Sequence, residues 1–350
     1  MEIKKALSDA LGQIPAFGEC AVLDYPNYFN IGDHLIWLGI LSWLDERGSR
    51  VRYAASRHEF SARTLESNLK SGPIFLTGGG NFGDIWPPHQ KFREAVISRF
   101  RSRPIIIMPQ SVYFHKETEL EASKKLLNSH PDLTILTRDE SSYELAAKHF
   151  TGCKVLRCPD AAFQLAGLIR LTSSETPRGL LYHCRQDRES AQNFPVHQIG
   201  ASQMVTEDWV SINERTRFLQ KLIRKMPFLW HTGFSTPLPA GMRRRALESA
   251  QPWMPKVKKW HNPTLHQRSL CLMYAGIEQF SQYRFVVTNR LHGHILCVLL
   301  GIPHILLPNA YHKNRAFYST WTSGVPYARF VDDPSKLAEA FEELGGMDKR

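Results

Sequence analysis

The chain has 350 residues, 43% of them apolar and 22% charged, with a formal net charge of +11. That composition builds a large buried core and excludes a disordered tail, and at about 100–200 residues per domain two domains are expected. The positive balance points to an anionic partner, without choosing among phosphate, nucleic acid and an acidic membrane surface.

The opening Met1–Ala10 is too polar for an export signal, and the most apolar stretch, Ile295–Leu307, is broken by Gly301, Pro303 and His304. The six cysteines (Cys20, Cys153, Cys158, Cys184, Cys271 and Cys297) form no C-x-x-C pair. A cytosolic protein, soluble or peripheral at the membrane, with reduced thiols and no metal site, is therefore expected.

In chain order, β-branched runs alternate with helical patterns. Ala21–Asp24 is a strand, followed by a helix from about Asp33 to Glu46 and strands at Val51–Ala54 and Ile74–Thr77. A helix near Lys91–Arg101, a strand at Ile105–Met108, a helix near Glu117–Asn128 and a strand at Leu133–Leu136 continue the rhythm. Such βαβ alternation predicts a parallel sheet with helices on its faces. The polar stretch Leu171–Pro177 reads as a linker, after which strands at Gly179–Cys184, Phe285–Thr288 and Pro303–Leu307 and a helix at Leu291–Leu300 form a second half. The expected division is 1–170, 171–330 with a basic insertion at about 191–268, and a C-terminal helix or tail at 331–350, with a cleft between the two α/β halves.

Polar residues just beyond strand ends are the candidates for chemistry. Asn27–Asp33 follows the first strand; Asp33 is either the helix N-cap or a catalytic and acceptor-binding group. Gly78-Gly79-Gly80-Asn81-Phe82-Gly83 satisfies G-x-G-x-x-G after a strand, but Asp84–Pro88 delays the helix and the next strand ends without an acid. This argues against a dinucleotide site and for a loop whose backbone approaches a ligand. Arg185 ends the first strand of the second half. Thr288-Asn289-Arg290-Leu291-His292-Gly293-His294 spans a strand-to-helix junction, where a guanidinium and helix N–H groups can hold an anion and an imidazole can transfer a proton. His292 and His294, two apart, face different ways around a helix and are no metal pair.

The span Arg215–Arg268 holds twelve Lys and Arg against one acid, Glu248, and thereby the whole net charge. Trp209, Trp230, Trp253 and Trp260 lie within or beside it, and Trp209, Ile212, Leu219 and Ile223 are spaced for one apolar helix face. It reads either as a solvated basic face over a packed helix or as a surface docking on anionic lipid headgroups or a phosphate-linked acceptor.

Taken together, Asn30–Asp33, Gly78–Trp86, Met108–Ser111, Thr137–Ser141, Pro159–Phe163 and Thr288–His294 resemble the polysaccharide pyruvyl transferase family. The resemblance implies two Rossmann-type domains in a glycosyltransferase-B-like pair and phosphoenolpyruvate as co-substrate, with no cofactor. It further implies transfer of a ketal-linked pyruvate to two hydroxyls of one sugar in surface or exopolysaccharide biosynthesis. Its Arg-Leu-His donor site falls on Arg290, Leu291 and His292, and its second donor arginine on Arg185, with Arg188 the alternative.

The chemistry fits these residues. A carboxylate and a phosphate on one small donor call for two cations, Arg185 and Arg290, and His292 beside two anions is a credible general acid. Asn30, Asp33, Asn81 and Asp84 are the expected acceptor-binding groups, and the acceptor is expected to be lipid-linked. A nucleotide-sugar glycosyltransferase of the same architecture is the rival enzyme. A basic nucleic-acid-binding protein is favoured by charge alone, without a recognised module.

Overall fold

The β-branched runs read from the sequence become strands in the computed structural model, which describes residues 2–169, 177–185, 194–199, 203–209, 259–309 and 313–345. In the first unit β1 (Glu19–Leu23) lies between β2 (Arg50–Ala55) and β3 (Ile74–Leu76), and the sheet continues through β5 (Ile105–Tyr113) and β6 (Leu133–Thr137) to β7 (Lys154–Arg157). Every pairing is parallel, and Ile105–Ser111 is buried throughout, as a central strand covered on both faces requires. Helices α1 (Glu2–Leu11), α2 (Ile31–Glu46), α3 (Ala62–Asn68), α4 (Pro87–Arg99), α5 (Glu117–Asn128) and α6 (Glu140–His149) belong to this part of the chain. Ile74, Ile105, Ile107 and Ile135 form its core with Val96, Ile97, Leu127 and Phe150.

Three boundaries differ from the sequence reading. The glycine-rich segment is a short strand, β4 (Gly79–Gly83), laid along the far end of β5. Gly83 has φ 120 and packs on the Tyr113 carbonyl, so its glycine serves sheet packing rather than a phosphate loop. β5 runs on through Pro109, where the register to β6 shifts between Ile107 and Gln110, because proline cannot donate to the ladder. α4 begins at Pro87, a residue type suited to a first helical turn where N–H groups have no partner.

The second sheet has the order β12-β11-β10-β8-β9, again all parallel, with β8 (Arg178–His183), β9 (Met204–Glu207), β10 (Tyr283–Thr288), β11 (His304–Leu306) and β12 (Ala328–Phe330). Helices α7 (Pro263–Ser281), α8 (Leu291–Leu300), α9 (Lys313–Phe317) and α10 (Leu337–Glu343) accompany it. Leu337 and Phe341 of α10 close a core with Leu180, Phe285, Val287 and Ile305. In both sheets the chain winds one way from its first strand and then the other, so each has a switch point, β1/β3 in one and β8/β10 in the other. Ligands of open α/β sheets gather beyond the carboxyl ends of strands at such points.

Neither unit is a single stretch of chain. The first contains the described residues 2–29, 35–165 and 259–265, and the second contains 30–34 with the remaining described residues. Edge strand β2 is covered from far along the sequence. The His261 amide donates to the Val51 carbonyl at 3.1 Å, and its Nδ1 accepts from the Ala54 amide at 3.1 Å.

Most of the basic span, up to Lys258, lies outside the described residues, as does Arg188. Trp209, Trp260 and Arg268 are described and buried, and the Trp209 ring packs on His183 and Phe280 at 4.4 and 5.5 Å. These two tryptophans are core residues, not members of an exposed aromatic face.

Candidate active site

β10 ends at Thr288, and α8 starts three residues later without a side-chain cap. Thr288 Oγ1 instead accepts the Arg290 amide at 3.1 Å, bending the chain into the helix. The neighbouring strand is tied in by Asn289, whose Oδ1 accepts the Arg185 amide at 2.8 Å and whose carbonyl accepts Asn314 Nδ2 at 2.9 Å. Uncapped N–H groups of the first turn of α8, Arg185 and Arg290 thus stand together at the β8/β10 switch point, an arrangement suited to an anion.

Arg290 is 9% exposed, and its Nε and Nη2 both bond the carboxylate of Asp208, the latter at 2.6 Å. Asp208 lies just beyond β9 and was not anticipated; the signal available in the sequence was an acid directly after a short strand. His183, the last residue of β8, lies wholly buried beneath this pair, with Nδ1 3.0 Å from Thr288 Oγ1. Burial, and then the cations Arg290 and Arg185, hold its imidazole well below the usual histidine range, so it is neutral. Arg185 is joined to this turn through its own amide, bonded to Asn289, the residue before Arg290.

His292 is the second residue of α8 and is 9% exposed, and Leu291 beside it is buried. A Cβ placed on Gly32 would stand 2.5 Å from His292 Cβ and Cγ and 2.6 Å from Nδ1, so only glycine allows α2 to begin against this ring. Motifs 260 residues apart in sequence meet there. Asn30, not Asp33, is the N-cap of α2: its Oδ1 accepts the Gly32 amide at 3.2 Å, and its carbonyl accepts the Asp33 amide at 3.1 Å. Asp33 sits in the first turn, partly exposed, with Oδ2 accepting Asn30 Nδ2 at 2.8 Å. His34 Nδ1 to Ser269 Oγ at 2.9 Å and Ile31 against Gly276 fix this turn on α7.

His294 points elsewhere. Its ring lies between His304 Nε2 at 2.7 Å and Thr322 Oγ1 at 2.8 Å, fully buried, and burial drives both histidines to the neutral form, His304 down to about 4.

Asn81 and Asp84 belong to the first unit and are engaged within it. Asn81 Oδ1 accepts from Arg93 Nη2 at 2.6 Å and Gln110 Nε2 at 3.1 Å. Asp84 accepts the amides of His115 and Lys116 at 2.7–2.9 Å. The Met108–Ser111, Thr137–Ser141 and Pro159–Phe163 motifs form one buried polar network. Arg138 reaches Asp160 at 2.7 Å and Ser111 at 3.0 Å, Ser111 donates to Asp139 at 2.7 Å, and Asp139 caps α6 through the Ser142 amide.

One more pair stands at the β1/β3 switch point. Asp24, the residue after β1, has φ 65 and is 5% exposed, and its carboxylate oxygens lie 2.8 and 3.0 Å from His89 Nδ1. Neither residue was singled out in the sequence.

A family model described as polysaccharide pyruvyl transferase matches residues 30–236 and 272–311, a range containing every predicted site residue. The chain is 32% identical to pyruvyl transferase EpsO of Bacillus subtilis (strain 168), over 96% of its length and 95% of that protein's. It is 30% identical to pyruvyl transferase 1 of Schizosaccharomyces pombe (strain 972), covering 87% of this chain and 70% of the other. Among solved structures, a functionally uncharacterized protein of Klebsiella pneumoniae superposes with a TM-score of 0.53 at 17% identity, covering 95% of this chain and 99% of that one.

Proposed function

The chain belongs to the polysaccharide pyruvyl transferase family, and from that membership we propose that it moves pyruvate from phosphoenolpyruvate to two hydroxyls of one saccharide residue as a ketal, releasing phosphate. The observation that supports this reading is the placement of Arg185, whose amide bonds Asn289, and of Arg290, the next residue along that turn, at the β8/β10 switch point, with His292 two residues further on. Two guanidiniums match the two anionic groups of this donor, and a planar fork binds carboxylate or phosphate in a bidentate manner.

In this reading Arg290 exchanges part of its bonding from Asp208 to the donor. His292 gives a proton to the donor methylene carbon, and charge developing at the adjacent carbon is stabilised by the donor's own anionic groups. Asn30 and Asp33, on the turn that His292 packs against, hold acceptor hydroxyls, with Asp33 the alternative proton source. For Asn81 and Asp84 to bind acceptor, they must share the bonds already described. The reading takes the two units as a glycosyltransferase-B-like pair. It takes the acceptor as a lipid-linked saccharide presented at the cytoplasmic face of a membrane, with Arg215–Arg268 as the docking segment. No described helix is long and apolar enough to cross a membrane.

The test is turnover: phosphate release from phosphoenolpyruvate that depends on a saccharide, with His292→Asn retaining donor binding within several-fold while losing about 10²–10⁴-fold in kcat. Thermal stabilisation by UDP- or GDP-sugars instead of phosphoenolpyruvate would assign a glycosyltransferase.

A further inference from the structure

We propose that Asp208 is the resident counter-anion of the donor site: it occupies Arg290 while the site is empty and passes to Nε2–H of His183 when donor binds, and so sets how tightly donor is held. This rests on the pyruvyl-transfer reading above. Every group involved belongs to the second unit.

Asp208 follows edge strand β9, whose last residue, Glu207, pairs with His183 of β8. Its main chain is fixed. The Asp208 carbonyl accepts Gln279 Nε2 of α7 at 2.9 Å, the same nitrogen donates to the Glu207 carboxylate at 3.0 Å, and the Glu207 carbonyl accepts the Cys184 amide at 3.0 Å. The Asp208 side chain is 23% accessible and can turn about its own torsions from that fixed point. Among the described residues, the Arg290 guanidinium bonds Asp208 alone, through Nε and Nη2. A carboxylate seated on a guanidinium fork is the contact that the carboxylate of phosphoenolpyruvate would make, so the protein carries a stand-in for one end of its donor.

A second resting place for this carboxylate follows from the protons around His183. Thr288 Oγ1 is buried, accepts the Arg290 amide at 3.1 Å and lies 3.0 Å from His183 Nδ1. The hydroxyl has one proton and the amide cannot receive it, so it goes to Nδ1, which therefore holds the lone pair. The ring is neutral, and its own hydrogen is then on Nε2. Trp209 and Phe280 pack on the imidazole at 4.4 and 4.9 Å, and Nε2 is sealed from solvent without a hydrogen-bond partner. Buried donors in native proteins are paired, and an exception requires a reason.

Asp208 Oδ1 stands 3.9 Å from that nitrogen, roughly 1 Å beyond hydrogen-bonding reach. A swing of this size opens the fork on Arg290 and satisfies His183. In the empty site the swing would leave a cation without its anion, so Asp208 stays on Arg290. Once the donor supplies an anion, the balance reverses. The carboxylate thus has two positions, and the presence of donor selects between them. Donor is admitted only by the fraction of molecules in which Arg290 has been released, and its apparent affinity is lowered by that fraction. Asp208 touches no reacting atom; it is a positioning residue that acts through Arg290.

The test uses the full chain and phosphoenolpyruvate in titration calorimetry. Asp208→Asn keeps the size of the side chain and removes its charge. It should bind phosphoenolpyruvate about 10–100-fold more tightly, equivalent to Asp208 holding Arg290 in about 90–99% of empty wild-type sites. A residue that merely braces the guanidinium predicts the opposite sign, because asparagine holds a cation less well. A crystal structure of the wild type with phosphoenolpyruvate, which needs no variant to fold, should place Oδ1 within about 3 Å of His183 Nε2 and off the Arg290 fork.

Unchanged or weaker donor binding by folded Asp208→Asn overturns the proposal and leaves the pyruvyl-transfer reading standing. So does a donor-bound structure in which Asp208 still bonds both Nε and Nη2. A wild type that takes up no phosphoenolpyruvate overturns the reading itself, and this proposal with it.

Discussion

Replacing Arg290 by alanine removes one charge-assisted, two-pronged contact, on the order of 2–4 kcal/mol of donor or transition-state stabilisation. kcat/KM for phosphoenolpyruvate should fall about 30–1000-fold in a folded variant, measured by phosphate release. Gly32→Ala is the sharper probe, because its methyl group would stand 2.5 Å from His292. It should cost about 1–3 kcal/mol in urea unfolding and displace the imidazole, so that kcat falls while Arg290 still binds donor. Normal turnover in that variant would mean that His292 needs no fixed position. The strand-end logic singled out Arg185, Arg290 and His292 as candidates, because a cation or histidine at a strand-to-helix junction is conspicuous. It passed over Asp208 and the Asp24–His89 pair, whose meaning depends on partners 82 and 65 residues away. It gave Gly32 no role, since nothing local announces that a ring from α8 will lie against it.

At the scale of elements, β-branched runs located most strands, because fully buried parallel strands read as continuous apolar stretches. α6, β7 and the short β4, β9 and β12 were not read, being too polar or too brief to show a period. Three of the motif blocks that carry the family resemblance in the first half join elements to one another: β5, β6 and α6 are tied through Ser111, Arg138, Asp139 and Asp160. Removing one member of the Arg138–Asp160 pair should cost about 3–5 kcal/mol. A second set, His294 on α8 and His304 on β11 with His183 on β8, gives a pH dependence. Their folded-state pKa values are depressed, so the stability they contribute is complete above about 6.5 and is lost as pH falls towards the folded values. With His304 at about 4, that residue alone implies a loss of about 2 kcal/mol between pH 7 and 5. Urea midpoints that stay flat across that interval would contradict neutral burial.

For the whole molecule, the two units share one winding order, yet they are stitched rather than strung. A fragment ending at residue 170, the boundary that the sequence suggests, lacks the 259–265 segment that covers β2 and the α7 and α8 surfaces that hold Asn30–His34. It should be recovered mainly as aggregate, and co-expression with the remaining chain should restore solubility; a soluble, cooperatively melting fragment would refute this. The same stitching sets a timetable for synthesis. β2 ends at Ala55 and its cover arrives with His261, so at about 5–20 residues per second the ribosome leaves the open side of that strand waiting roughly 10–40 s. During that interval Val51–Ala55 is an unpaired sheet edge on a nascent chain, the kind of surface on which trigger-type chaperones act and neighbouring chains stick. Slowing translation between these two points should therefore reduce the yield of folded enzyme, in contrast to proteins whose domains close behind the ribosome one at a time.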